Sequence, residues 1–194
     1  MSRPYALIAG ANKTGTTSLR YALDMVYAHL DKGRHLGKRL TDIKSSYSHE
    51  RYDNLLKIAR DYNILKDHPW NLGDMYKRIS EEFPTCKVFL TERNPDSWYH
   101  SIQEYTSRLY FRQPKAGTRS KNTIDYATYV KNRKLKLEKL YGVKSFDDVE
   151  EVKQAYIQRN EEIKAYFENN SNFTCIRVPE DMNWIAIQLS LIHI

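Results

Sequence analysis

At 194 residues, with 41% hydrophobic and 28% charged residues, the chain has the size and composition of one ordinary globular domain with a real core, which excludes disordered and collagen-like classes. No apolar run approaches the roughly 20 residues that cross a bilayer, and two cysteines are too few for a disulfide scaffold. The net charge of +7 points to an acidic ligand or to a solvated basic surface, and its distribution matters more than its size.

In chain order, "YALIAG" is a short apolar run closed by Gly10 and reads as a buried first strand rather than as a signal peptide, because it leads straight into a glycine loop. From Thr17 the apolar spacing becomes helical, with Leu19, Leu23, Val26, Tyr27 and Leu30 recurring to about residue 31. "YSHERYDNLLKIARDY" predicts a helix, "NILKD" a short strand, and "LGDMYKRISEEF" a helix stopped by Pro84. "KVFLTER" is a strong strand. "NPDSWYHSIQEYTSRLY" predicts a helix capped by Asn94 with Pro95 in its first turn. Residues 111–124 read as an exposed loop, residues 125–141 and 146–168 as helices, and "FTCIRV" as a last strand. Strands alternating with helices predict an α/β domain over 1–194, three layers α/β/α around a central parallel sheet, with ligands at the carboxyl ends of the strands. The protein is expected to be soluble and cytoplasmic, with Cys86 and Cys175 as reduced thiols.

Charge is concentrated in one place. Between Arg112 and Lys144 ten Lys/Arg face two acids, Asp125 and Glu138, a local excess of +8 that leaves the remainder near neutral. A solvated helical face accounts for such a run, and so does a field that attracts a nucleotide, an anionic glycan or a nucleic acid.

The chemistry is concentrated in "GANKTGTTSL", residues 10–19. Backbone amides of a tight glycine turn, continued by a helix N-terminus, make an anion cradle, and Thr14, Thr16, Thr17 and Ser18 add hydroxyl donors. A P-loop ATPase places lysine directly after the second glycine. Here Gly15 is followed by Thr16 and Thr17, and the lysine, Lys13, lies inside the loop.

"NKTGTTSL" resembles the 5′-phosphosulfate loop of the sulfotransferases that use 3′-phosphoadenylyl sulfate (PAPS), commonly P-K-x-G-T-T-x-L. Lys13, Gly15, Thr16, Thr17 and Leu19 match, and Asn12 stands in place of the proline. The resemblance implies a P-loop-like fold, a lysine that assists departure of the phosphate, and a loop set Lys13, Thr14, Gly15, Thr16, Thr17 and Ser18. "TERNPDSWYHS" resembles the same family's 3′-phosphate site, an arginine followed eight residues later by a serine, here Arg93 and Ser101. A remote phosphate needs its own guanidinium and hydroxyl. "LKDHPW" resembles the segment that carries the family's base. Alignment on Pro69 makes Asp67 the positional match, preferred here, whereas His68 has the more convenient unperturbed pKa, near 6.5.

The expectation is therefore a metal-free, in-line transfer of a sulfuryl group from PAPS to a hydroxyl or amine, with 3′,5′-ADP as the product. The acceptor is expected to be a small molecule or a carbohydrate. A membrane partner is not expected, and nucleic acid is the disfavoured ligand. The rival readings are a P-loop-type nucleotide or small-molecule kinase and a non-catalytic basic nucleic-acid-binding domain. The resemblance carries specific motifs over residues 5–105, continues more loosely to "FTCIRVPEDMNW" and then fails. The apolar ending "IAIQLSLIHI" is expected to be a truncated or altered C-terminus, and it would allow a homodimer.

Overall fold

The structure, a computed structural model, describes residues 4–26, 51–111 and 125–180. The elements in chain order are β1 (Ala6–Ile8), α1 (Thr16–Val26), α2 (Tyr52–Ala59), β2 (Ile64–Lys66), α3 (Met75–Glu82), β3 (Lys87–Arg93), α4 (Pro95–Phe111), α5 (Tyr126–Tyr141), α6 (Val149–Tyr166) and β4 (Phe173–Val178). The expected end of the first helix beyond Val26, the start of the second at Tyr47, the basic loop of 112–124 and the apolar tail lie outside the described residues.

The four strands form one parallel sheet in the order β2-β1-β3-β4, as an α/β reading requires. β1 is central, pairing Leu7 with Leu65 of β2 and with Val88 of β3. A strand buried on both faces needs a continuous apolar run, which is what "ALI" supplies. Side chains alternate across the sheet. Ala6, Ile8, Ile64, Phe89 and Ile176 fall on one face and pack against Leu19, Ala22 and Leu23 of α1. Leu7, Leu65, Val88 and Leu90 fall on the other, against Leu55 and Ile58 of α2, Met75 and Ile79 of α3, and Ile163 and Phe167 at the end of α6. Helices thus cover both faces of the sheet.

The chain steps from β1 to β2 on one side and then crosses to β3 on the other. The strand order reverses at β1, and in open parallel sheets ligands bind at the carboxyl ends beside such a reversal.

Among the described residues, this unit takes those up to Arg93 and those from Asn160, and a second compact unit takes Asn94–Arg159. In the second unit Asn94 caps α4 as its sequence predicts, its Oδ1 accepting from the Asp96 and Ser97 amides at 3.0 and 3.2 Å. Asp125 caps α5 by accepting from the Thr128 amide, and Gly142, at φ 67°, ends that helix in the left-handed conformation. Trp98 is fully buried and stacks on Tyr156 with ring centroids 4.1 Å apart, so it serves the core of this unit. Trp70 is likewise buried, in the core of the first unit.

Cys86 and Cys175 are free thiols. Burial pushes the Cys86 thiol up to about 12. Burial and a hydrogen bond to Glu92 push Cys175 to about 12 as well. Because the thiolate is the nucleophile, neither cysteine should react with iodoacetamide at pH 8 in the native protein, and both should react in denaturant. Rapid labelling of the native protein, read by mass spectrometry, would contradict this packing. Among the described residues no helix is long and apolar enough to cross a membrane.

Candidate functional site

The turn after β1 is built by a backbone arrangement that most residues avoid. Thr14 N–H and Thr14 Oγ1 both donate to the Ala11 carbonyl, at 3.4 and 2.6 Å. Within this four-residue turn Lys13 has φ 73°, and Gly15 follows at φ 81°. A positive φ at the third turn position is the type II geometry that glycine favours. Lysine there carries a steric cost of about 1–2 kcal/mol. Lys13 is thus held in a strained left-handed conformation by its surroundings.

Gly10 is required by contact rather than by φ. A Cβ at this position would lie 2.0 Å from Thr91 Oγ1 and 2.8 and 2.9 Å from the Thr91 carbonyl oxygen and amide nitrogen. The loop therefore presses directly on β3. Thr14 Oγ1 and Thr91 Oγ1 are 2.6 Å apart, and both residues are fully buried. A hydroxyl has one proton. Thr14 donates its own to Ala11, so Thr91 donates to Thr14.

α1 begins at Thr16, and Leu19 N–H donates to the Gly15 carbonyl at 3.0 Å. The first amides of a helix have no intrahelical acceptor, so those at its start are directed out of the sheet's carboxyl end, where they favour an anion. Of the four hydroxyl residues expected to line the cradle, Thr14 and Thr16 are buried, while Thr17 and Ser18 are exposed.

The end of β2 meets this loop. Lys66 Nζ donates to Thr17 Oγ1 at 3.3 Å and forms an ion pair with Asp67 Oδ2 at 2.9 Å. Lys66 is mostly buried and the Asp67 side chain is about half exposed. Asp67 also has a positive φ, 59°, so Lys13 and Asp67 both adopt left-handed backbone in the turns that follow β1 and β2. His68 is exposed rather than packed in the core. Asn71, buried after the same strand, donates through Nδ2 to the Gly10 carbonyl and to Asn12 Oδ1, each at 3.3 Å, and so fastens the two turns together.

Arg93 ends β3, two residues beyond Thr91. Alternation assigns Thr91 and Arg93 to the same face as Phe89, the face covered by α1. It assigns Glu92 to the opposite face. There Glu92 Oε1 pairs with Lys164 at 2.9 Å, and Glu92 Oε2 accepts from Cys175 Sγ at 3.2 Å. Lys66 shares a face with Ile64, again that of α1. Gly10, Lys66, Thr91 and Arg93 therefore emerge on one side of the sheet at the ends of three adjacent strands. Ser101, the expected companion of Arg93, lies half-buried on α4 in the second unit.

Three residues of this constellation are not marked out by the sequence: Lys66, which links Thr17 to Asp67, Asn71, and Thr91, which is tied to Thr14. Lys66 was legible in principle, because it closes a strand just before "DHP" and period 2 assigns its face. Asn71 had no local signal. Among the described residues no cluster of three His, Cys, Asp or Glu is arranged to hold a metal ion.

The family model described as Sulfotransferase domain matches residues 6–185 of the chain. No match is found among curated proteins.

Proposed function

Because the chain belongs to the sulfotransferase-domain family, we propose that it moves a sulfuryl group from PAPS to a hydroxyl or amine of a small molecule or carbohydrate. The observation that carries this reading is the gathering of the glycine loop, Lys66 and Arg93 on one face of the sheet, at the point where strand order reverses.

The residues fit the group. The loop offers outward amides at the start of α1, two exposed hydroxyls on Thr17 and Ser18, and two lysines, Lys13 in the loop and Lys66 beside it. One strand spacing and two strand residues separate the Gly10 level of β1 from Arg93, about 8 Å by ordinary sheet geometry. That is close enough to support two anion pockets serving one doubly phosphorylated nucleotide.

When bound, PAPS supplies a sulfuryl group attached to a phosphate that leaves as part of 3′,5′-ADP. Lys13 and the loop amides hold the negative charge that grows on the leaving oxygen during in-line transfer. Lys66 adds a second cation and orients Thr17 through its hydrogen bond. Asp67 Oδ takes the proton from the acceptor, and the ion pair to Lys66 holds that carboxylate at the loop. Arg93 grips the 3′-phosphate. The kinase reading is disfavoured by Glu92: the acid on β3 faces away from the loop and is bound by Lys164 and Cys175.

Ligand-induced melting shifts test the assignment. 3′,5′-ADP should stabilise the protein, and ATP-Mg should do so less. The reverse ranking would favour the kinase. Stabilisation by neither, with salt-sensitive polynucleotide binding, would favour a basic binding module. Removing Arg93 should weaken 3′,5′-ADP about 10- to 100-fold, the worth of one charge-assisted contact. Calorimetry on Arg93→Ala giving the parental affinity would take Arg93 out of the site.

A further inference from the structure

We infer that Thr91 is a positioning residue: it holds Lys13 in its left-handed conformation by tying the phosphosulfate loop to β3. The inference rests on the reading of the loop as the donor site and goes beyond it, because Thr91 is fully buried beneath the loop and acts only through Thr14.

Three observations carry it. Thr91 is completely buried and donates its hydroxyl proton to Thr14 Oγ1 at 2.6 Å, and Thr14 in turn closes the Ala11–Thr14 turn that contains Lys13. Gly10 lies so close to Thr91 that a single added carbon would meet its hydroxyl at 2.0 Å. The Ala9 amide donates to the Phe89 carbonyl at 2.8 Å, so β1 stays paired to β3 up to the start of the loop. The loop thus has a buried polar anchor on β3, at the strand position two residues before Arg93. A lysine with φ 73° relaxes toward ordinary backbone when its restraint is lost. The relaxation would move the ammonium and leave the fold standing.

Thr91→Val replaces the hydroxyl with a methyl, which cannot sit 2.6 Å from Thr14 Oγ1, since a carbon–oxygen contact needs about 3.3 Å. Thr91→Ala removes the hydroxyl without the clash, and Thr91→Ser keeps it.

The test is a pair of double-mutant cycles read by calorimetry with 3′,5′-ADP. Thr91→Val and Thr91→Ala should each weaken binding about tenfold in the parent and at most about threefold in a Lys13→Ala background. With Arg93→Ala their effects should multiply in full, because that end of the nucleotide is held separately. Thr91→Ser should bind within about threefold of the parent. An equal effect of Thr91→Ala in the parent and in the Lys13→Ala background would overturn the inference, as would unchanged binding by Thr91→Ala. If Lys13→Ala itself binds like the parent, it is the donor-site reading of the loop that falls. If Lys13→Ala weakens binding and Thr91→Ala does not, the role of Thr91 alone falls.

Discussion

Replacing Lys13 with alanine should reduce sulfuryl transfer about 10²- to 10³-fold, the usual cost of removing one donor from a site where charge develops in the transition state. The loss should fall on kcat, because this interaction strengthens as the leaving oxygen becomes anionic. The fold should be retained, since Lys13 is half-exposed and belongs to neither core cluster. A second substitution separates charge from conformation. Lys13→Gly also lacks the ammonium but accepts φ 73° without steric cost. It should be as inactive as Lys13→Ala and more stable by about 1 kcal/mol. Turnover at the parental rate in either variant would end the role of Lys13, and equal stability of the two would mean the left-handed turn is not strained.

Gly10→Ala should be the most destabilising single substitution in the loop. Its Cβ would lie under 3 Å from both the backbone nitrogen and the backbone oxygen of Thr91, atoms that a central strand cannot move aside. Rotating the Thr91 hydroxyl relieves only the 2.0 Å contact and breaks the bond to Thr14. Overpacking of this kind costs on the order of 3 kcal/mol, which for a chain of this size lowers Tm by about 6–12 °C. The variant should also bind 3′,5′-ADP poorly, because the loop can accept the methyl only by lifting away from β3. A melting temperature within 2 °C of the parent, measured by calorimetry, would show that the loop is free to stand off the strand and that the close packing carries no energy.

Much of the fold was written in short-range pattern. "KVFLTER" became β3 over the predicted residues, because a continuous apolar run with a β-branched start reads as a buried strand wherever it occurs. Asn94 and Pro95 announced α4, since a cap and a preset φ act within four residues. The helix expected over 146–168 begins instead at Val149. Ser145 and Asp148 side chains bond nearby amides, and the Asp148 bond to the Glu151 amide delays the helix start. The hydroxyls of the loop were less legible. Thr14, Thr16, Thr17 and Ser18 are equivalent by local pattern, yet Thr14 and Thr16 are buried while Thr17 and Ser18 stay exposed. That division depends on what lies underneath, and only the pairing of β1 with β3 brings Thr91 there.

The alternation of strands and helices, the glycine turn at a strand–helix junction with a lysine inside it, and the arginine closing the third strand are all local features, because periodicity, caps and turn residues act over a few positions. The assembled sheet chose the neighbours that these pieces acquire. It set β1 between β2 and β3, turned Lys66 and Arg93 to the face of α1 and Glu92 to the other, and tied Thr14 to Thr91 across 77 positions of chain. The reason is that strand order and register are set by burial of both sheet faces at once, a condition that no local stretch of sequence contains.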